Sequence, residues 1–276
     1  MFSIVIPLYN KEQSVKNTIQ SVLTQKFKEF EIVIVNDGST DNSVQIVEQI
    51  QDSRIRIIHQ KNGGVSAARN RGIKEAKYDW IAFLDADDIW KENHLTEFKN
   101  MINMFPEDKV FCTSHNKSKR QDNYKAKIEN SCEVIDCYFD VAMKDVDFFW
   151  TGAVCIHKTV FKLQISFPVG ISRGEDLYVW AKIGKKFRII RSLKETAIYS
   201  FDSENKLSES KYLFSNSILS IISLKGLKGG EKKYYHKIVY DRFKRIVKSQ
   251  DSNSIFKVIR KHNYRLIHYI LFKKTY

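Results

Sequence analysis

The stretch 80-WIAFLDADD-88 decides the fold, because an apolar run passes directly into three carboxylates, Asp85, Asp87 and Asp88. Residues 80–84 have the continuous hydrophobicity of a parallel strand that is covered on both faces. Carboxylates this close repel one another, and burying them is costly unless a positive charge joins them. The stretch therefore predicts a buried strand that ends at a site for a cationic or metal-bound partner.

Three further strand signals precede this stretch, and each is followed by apolar residues at helical spacing. The strands are FSIVIPL from residue 2, EIVIVND from residue 31 and RIRIIHQ from residue 54. Alternating strands and helices predict a parallel sheet with right-handed crossovers. Ligands of such sheets bind where the strands end. We therefore expect one site from four polar segments: PLYN (7–10), NDGSTD (36–41), NGGVSAARN (62–70) and DADD (85–88).

Each segment, taken alone, also has an ordinary structural explanation. Asp85 and Asp87 are two positions apart, so an extended backbone directs both carboxylates to one side, where they suit Mg²⁺ or Mn²⁺. Acids at that position could equally begin a helix. NDGSTD could be a turn with a helix cap, and Arg69 could pair with a surface acid. Further along, Glu175 and Asp176 of the sequence GED could supply a general base or could occupy the first turn of a helix.

The composition limits the class of protein. Of 276 residues, 43% are hydrophobic and 13% aromatic, which indicates a globular chain. The four cysteines have neither CxxC nor zinc-finger spacing, which indicates free thiols in a reducing compartment. Met1 leads directly into a strand signal, and the longest apolar stretch, 212–224, is too short and too polar to span a bilayer. These features predict a cytoplasmic protein.

The net charge of +14 is concentrated near the C-terminus, where residues 206–276 contain 17 Lys and Arg against 4 Asp and Glu. Helical spacing there predicts an apolar stripe of Tyr235, Val239, Phe243 and Ile246 opposite a basic side. Such a region could bind an anionic membrane or could pack on the rest of the protein as a solvated bundle. Nucleic acid is a poorer partner, because its phosphate backbone requires cations at the binding site. The predicted strands end in acids and glycines instead.

The segments IVIPLYN, VIVNDGSTDNS, NGGVSAARNRGI, WIAFLDADD and GED, in this order, resemble the family 2 glycosyltransferases. The resemblance covers roughly residues 1–205. It implies an α/β catalytic domain over 1–205 with the GT-A fold, a Rossmann-like and mostly parallel sheet flanked by helices. The tail does not take part in the match, and its own charge and spacing predict a basic α-helical region over 206–276. The resemblance also implies an inverting transfer of a hexose or N-acetylhexosamine from a UDP-sugar to a saccharide hydroxyl. The acceptor would be a lipid-linked oligosaccharide in O-antigen or capsule synthesis, at the inner face of the plasma membrane.

The resemblance implies a role for each matched residue. The nucleotide would lie among Pro7, Tyr9, Asn10, Asp37, Gly64, Arg69, Asp85 and Ala86, with Asp37 reading the uracil. Mn²⁺ or Mg²⁺ would bind the family's DxD pair, Asp87 and Asp85. Asp176 would remove the proton of the acceptor hydroxyl, with Glu175 beside it. A nucleotide-sugar-binding protein with an inactive site is the alternative.

Two expectations concern residues that the family pattern does not settle. Phe148, Phe149 and Trp150 are expected in the core. Trp150 is nevertheless the candidate to stack on an acceptor sugar, and Asp88 is a second candidate to contact the acceptor. Relatives often carry a metal-binding histidine after the GED segment. The corresponding stretch 198-IYSFDSENKLS-208 has none, so Asp202 is the candidate substitute and metal dependence is in question.

Overall fold

The structure, a computed structural model of the chain, describes residues 1–116, 127–129, 132–200, 213–249 and 251–262. Within those residues the strands are β1 Phe2–Leu8, β2 Phe30–Asn36, β3 Ile55–His59, β4 Trp80–Phe83, β5 Ile89–Trp90, β6 Val110–His115, β7 Lys127–Glu129, β8 Cys132–Ile135, β9 Val154–His157 and β10 Ile189–Ile198. The helices are α1 Val15–Leu23, α2 Ser43–Glu48, α3 Val65–Glu75, α4 His94–Met104, α5 Tyr138–Ala142, α6 Glu175–Gly184, α7 Gly229–Lys248 and α8 Ser252–His262. The domain boundary predicted at 205/206 lies outside the described residues.

The strands form one sheet in the order β3-β2-β1-β4-β9-β6-β10-β8-β7, and β5 pairs with β10. β1 is parallel to β2 and β4, and β2 is parallel to β3, as the alternating pattern predicted. β9 is antiparallel to both β4 and β6, whereas β6 and β10 are parallel. Within the part of the chain that the structure describes, six strands therefore end at one edge of the sheet. We call it the site edge: the residues that follow Leu8, Asn36, His59, Phe83, His115 and Ile198.

Helices cover both faces of this sheet, which explains the unbroken apolar sequences of its central strands. In β1, Ile4 packs in the hydrophobic cluster that contains α1 and α4, whereas Val5 packs in the opposite cluster with Phe83. Every residue of β2 is buried. Burying one aliphatic side chain contributes about 1.5–3 kcal/mol. The central strands β1 and β2, which carry part of the site edge, are therefore packed from both sides.

The C-terminal region packs on the rest of the protein through α7. The predicted apolar stripe is confirmed, because Tyr235, Val239, Phe243 and Ile246 are all buried. Tyr235 joins the core cluster that includes α5 and α6, and the other three pack together with Val258 of α8. The apolar side of α7 is thus used within the protein.

Gly229 and Gly230 begin α7, with Gly229 at φ +52°, and the segment before them contains a short 3₁₀ helix at Ile218–Ser220. Among the helices of the described residues, none has the length and apolar character needed to cross a membrane.

Candidate active site

The first two loops of the site edge are bound to each other. Asn10 has a left-handed φ of +50°, which turns the chain sharply after β1. Its Oδ1 accepts a hydrogen bond from the Thr40 amide at 2.8 Å, and its own amide donates to Ser39 Oγ at 3.2 Å. Tyr9 is exposed beside it, and Pro7 is half-buried within β1. These three predicted nucleotide residues lie together at the end of β1.

Asp37 is buried and fixes the glycine loop that precedes α3. Its Oδ1 accepts hydrogen bonds from Gln60 Nε2 at 2.7 Å and from the Gly63 amide at 2.9 Å, and its Oδ2 accepts from the Gly64 amide at 2.8 Å. Gly64 has φ +84° at the start of α3. A carboxylate has about four acceptor positions, so Asp37 can hold this loop and still accept one further donor. Its role in reading uracil stays a prediction.

The carboxylates of DADD do not begin a helix. The next two residues form β5, and α4 starts only at His94, so the helix-start alternative is wrong. Asp88 is buried, and its Oδ1 accepts from the Ser200 amide at 2.9 Å, which ties this loop to the end of β10. The carbonyl of Ala86 accepts from Ser14 Oγ at 3.1 Å. Asp85 and Asp87 are half-buried at the site edge.

Arg69 joins two groups of acids that are far apart in the sequence. Its Nη2 donates to Asp85 Oδ1 at 2.8 Å, and its Nη1 donates to Glu175 Oε1 at 2.9 Å. The Arg69 side chain is only 4% exposed, and its guanidinium carbon lies 5.2 Å from the centre of the Phe167 ring. Burial alone would lower the pKa of Arg69, but Asp85 and Glu175 raise it above its ordinary value. The surface-pair alternative for Arg69 is therefore wrong.

Glu175 and Asp176 occupy the first turn of α6, so the helix-start expectation for GED is confirmed. Burial raises the pKa of both carboxyl groups, the charge of Asp176 raises that of Glu175 further, and Arg69 opposes the shift at each. Asp176 is half-buried, and its Oδ1 accepts from the Leu177 amide at 2.8 Å. A raised pKa suits a group that must accept a proton near neutral pH. The helix position and the proposed base are therefore compatible.

Lys11 is a site residue that the sequence analysis did not identify. Its Nζ lies 2.7 Å from Asp87 Oδ2, and the two side chains are 13% and 19% exposed. The available signal was its position directly after Asn10, in a polar segment that follows a buried strand. Lysine is common on surfaces, so this signal alone is weak.

Trp150 lies at the site edge near the ends of β6 and β10, within a group of aromatic side chains. Its ring centre is 4.8 Å from that of His115 and 5.8 Å from that of Tyr199. The indole packs on Gly152, where a Cβ atom would come within 2.3 Å of the ring. Phe148 and Phe149 are fully buried, as expected of core residues. Trp150 is half-buried and so differs from its two neighbours.

Mn²⁺ or Mg²⁺ would find two hard oxygen ligands at this edge, Asp85 and Asp87. Among the residues that the structure describes, no group of three His, Cys, Asp or Glu converges on a metal position. Asp202, the expected substitute for the family's histidine, lies outside those residues. Such ions often take one or two protein carboxylates and complete their shell with water and substrate phosphates. The donor set therefore fits a divalent ion that binds together with a nucleotide.

The described residues form an α/β fold in which acids, an amide, glycines and Arg69 meet at one edge of the sheet. Residues 3–162, more than half of the chain, match the sequence profile described as glycosyl transferase family 2. The chain belongs to this family, and its fold is of the GT-A type.

Two curated relatives illustrate what the chain is similar to, and both are bacterial glycosyltransferases. An uncharacterized glycosyltransferase of Rickettsia bellii is 30% identical over 223 residues, which cover 80% of this chain and 32% of that protein. The uncharacterized glycosyltransferase EpsJ of Bacillus subtilis is 48% identical over 90 residues, which cover 32% of this chain and 26% of EpsJ. The chain spans about a third of the length of the relatives that it matches.

Two solved structures share the fold at low sequence identity. The Staphylococcus aureus TarS fragment in complex with UDP-GlcNAc has a TM-score of 0.65 and 19% identity, over 95% of this chain and 72% of that one. The mannosyltransferase PcManGT of Pyrobaculum calidifontis, in complex with GDP-Man and Mn²⁺, has a TM-score of 0.64 and 14% identity, over 90% of this chain and 72% of that one.

Proposed function

We propose that this chain is an inverting glycosyltransferase that moves a hexose or N-acetylhexosamine from a UDP-sugar to a hydroxyl of a saccharide acceptor. One observation carries the proposal: Arg69 links Asp85 of the DxD segment to Glu175, which stands beside Asp176 at the start of α6. One pair of acids suits a metal-bound diphosphate, and the other suits a proton acceptor. The UDP-GlcNAc complex of the structurally similar TarS supports a UDP-sugar as the donor.

On the donor side, the chain's own residues would form a rigid nucleotide pocket. Asp37 holds the Gly63–Gly64 loop in place, and Asn10 holds the neighbouring loop against Thr40. A pocket that is already ordered loses little conformational entropy when the nucleotide binds. Asp85 and Asp87 would hold Mn²⁺ or Mg²⁺, which, when bound, neutralises the charge that develops on the departing diphosphate.

On the acceptor side, Asp176 would act as the general base. It would take the proton of the acceptor hydroxyl while the hydroxyl oxygen forms a bond to the anomeric carbon and the bond from that carbon to UDP breaks. Attack from the face opposite UDP inverts the configuration, so an α-linked donor gives a β-glycoside. Arg69 is a positioning residue in this scheme, because it fixes Glu175 next to the base. Trp150 would stack on the acceptor sugar, and Asp88 would support the same side of the site from within the loop.

The acceptor that we propose is a lipid-linked oligosaccharide of a surface polysaccharide, elongated at the inner face of the plasma membrane. Support comes from α8, where Phe256 is 64% exposed and Ile259 is also exposed. Lys257, Arg260 and Lys261 flank these two side chains. Basic residues beside exposed apolar ones bind anionic headgroups at roughly 1 kcal/mol per well-placed charge.

The four cysteines are unpaired, which supports a reducing, cytoplasmic compartment.

The transfer can be tested directly with the purified chain. UDP release and glycoside formation are measured with UDP-glucose, UDP-galactose and the two UDP-N-acetylhexosamines, with and without EDTA, and the anomeric configuration of the product is read by NMR. We expect one preferred donor, loss of turnover in EDTA and an inverted product. UDP release no greater than that of Asp176→Asn would favour the alternative, a nucleotide-sugar-binding protein with an inactive site.

The membrane part is tested separately by sedimentation with vesicles. We expect the chain to bind vesicles that contain anionic lipid and not those of neutral lipid, and Phe256→Ser to weaken this binding. Val247→Ser is the matched control, because Val247 is an exposed apolar residue on α7. If the chain bound neither kind of vesicle, or if both variants behaved alike, the proposed membrane surface on α8 would be wrong.

A further inference from the structure

Lys11 forms an ion pair with Asp87, the residue expected to bind the metal. The ammonium nitrogen of Lys11 lies 2.7 Å from Asp87 Oδ2. A divalent ion on Asp87 would have to occupy space close to this nitrogen, and two positive centres that close repel each other. The ion pair and the metal therefore compete for the same carboxylate.

The position of Lys11 is built by the loops around it. Asn10, with φ +50°, turns the chain immediately before Lys11. The Lys11 amide donates to Ser43 Oγ at 2.7 Å, and Ser43 is fully buried. Ser14 Oγ then donates to the carbonyl of Ala86, next to Asp87, at 3.1 Å. These contacts hold the β1–α1 loop against the DADD loop, so the approach of Lys11 to Asp87 follows from the backbone.

The charges of the region show why a counter-ion is useful there. Among the described residues, ion pairs join Lys11 to Asp87 and Arg69 to both Asp85 and Glu175, and Asp176 follows Glu175 in α6. Arg69 is buried, and each of its two terminal nitrogens pairs with one acid, Asp85 or Glu175. If Arg69 moved away, both acids would lose their cation. Lys11 carries a compact ammonium on a flexible four-carbon chain. Of these two cations, Lys11 is the one that can change partners.

The geometry points to Lys11 as the resident counter-ion of Asp87, which a divalent metal must displace and which then turns to the diphosphate of the donor. This inference rests on the proposed function, because it needs a metal and a nucleoside diphosphate at this edge. It assigns Lys11 two opposite effects: it weakens binding of the bare metal, and it strengthens binding of the metal–nucleotide complex.

The substitution Lys11→Met removes the charge and keeps an unbranched chain. Mn²⁺ binding without nucleotide is measured by electron paramagnetic resonance of the free ion, and UDP binding is measured by calorimetry at saturating Mn²⁺. We expect Lys11→Met to bind Mn²⁺ about tenfold more tightly and UDP about tenfold more weakly than the wild type, since a neighbouring unit charge commonly shifts an ionic equilibrium by about one such factor.

Lys26→Met is the matched control, because Lys26 forms an equally short pair with Glu92, at 2.7 Å, in which both side chains are more than 60% exposed. It should leave both constants unchanged. If Lys11→Met bound Mn²⁺ with wild-type or lower affinity while the wild type bound both ligands, the inference would be wrong and the proposed function would stand. If the wild type bound neither Mn²⁺ nor UDP, both would be overturned. Thermal unfolding of each variant confirms that the fold is kept.

Discussion

Two pairs of carboxylates stand at the same edge of the sheet, but their surroundings differ. Asp85 and Asp87 are half-buried in the loop after β4, and each is paired with a cation, Arg69 and Lys11 respectively. Glu175 and Asp176 lie in the first turn of α6, where burial raises the pKa of both. The first environment stabilises the charged carboxylates, which can exchange one cation partner for another. The second environment makes it easier for a carboxylate to take up a proton.

The largest expected effect separates these two environments directly. Asp176→Asn should lower kcat by about 10²–10⁴-fold, because general-base catalysis contributes factors of this size. It should leave the Kd of UDP with Mn²⁺ nearly unchanged. Asp87→Asn should instead weaken the binding of both Mn²⁺ and UDP. Steady-state kinetics and calorimetry measure the two effects.

Asp241→Asn is the control for these variants, since Asp241 is half-buried on α7 and pairs with Lys244 of its own helix. If Asp176→Asn kept most of its turnover, the base assignment would be wrong. If Asp87→Asn and Asp176→Asn weakened UDP binding equally, the two carboxylate pairs would not have separate roles.

The second prediction concerns Arg69, which touches both pairs. Arg69→Met leaves the buried Glu175 without its cation, and breaking a buried ion pair in this way costs about 3–5 kcal/mol. We expect the lower end of that range near pH 7, because the pKa of Glu175 is raised to about 7 and the carboxyl can take up a proton instead. Urea unfolding measures the loss.

Arg71→Met is the matched control on the same helix. Arg71 pairs with Glu75 at the surface of α3, with its side chain 45% exposed, so the free energy of unfolding should change by no more than about 0.5 kcal/mol. A loss for Arg69→Met as small as this would show that Arg69 does not hold the two halves of the site together.

Much of the proposed nucleotide side, the loops that follow β1, β2 and β3, could be predicted from the sequence, because the residues that determine it are close together in the chain. The apolar strands β1 and β2 are buried on both faces, and a strand of this kind is recognisable from its own residues. Asp37 directly follows β2, and Gly64 directly precedes α3. Both elements have clear start and stop signals in the sequence. The hydrogen bond between Asp37 and Gly64 then depends only on two neighbouring parallel strands, β2 and β3.

The link between the two carboxylate pairs could not be predicted in this way. Arg69 and Glu175 are 106 positions apart, and their contact requires α3 and α6 to pack on the same face of the sheet. The reversal at β9 was also unreadable, because FFWTGAVCIHK combines buried aromatics, a 3₁₀ helix at Thr151–Ala153 and a strand in eleven residues. Tertiary packing decides both features.

The third prediction compares two glycines that start the helices of the two sides. Gly64 before α3 and Gly174 before α6 have φ of +84° and +77°, which are unfavourable for any other residue. Alanine at either position should cost about 1–2 kcal/mol in the free energy of unfolding. Gly64→Ala should raise the Kd of UDP, because the Gly64 amide binds Asp37. Gly174→Ala should instead lower kcat, because a Cβ there would come within 3.0 Å of Ile218 and displace the start of α6.

Chemical denaturation, UDP calorimetry and steady-state kinetics of both variants distinguish the two outcomes. Gly170→Ala serves as the control for backbone strain alone, since Gly170 has φ +84° and open space around its Cβ position. It should lose stability with UDP affinity and kcat intact. Equal effects of Gly64→Ala and Gly174→Ala on UDP binding would contradict the division of the site edge into a nucleotide side and a catalytic side.

The smallest expected effect asks whether the C-terminal region takes part in the catalytic side. Burial raises the pKa of Asp176. The positive charges of Arg69 and of Arg242, which lies on α7, lower this pKa, and the negative charge of Asp85 raises it. A base with a raised pKa takes up its proton at higher pH than usual, so kcat should fall as the pH decreases through that pKa. Arg242→Met removes one of the cations that lower this pKa and should move the fall to higher pH, with a loss of a few-fold just below the midpoint of the wild-type profile and almost none at pH 9. Arg245→Met, an exposed residue of the same helix, should leave the pH profile of kcat unchanged. Coincident profiles for all three proteins would mean that α7 supports the catalytic side by packing alone.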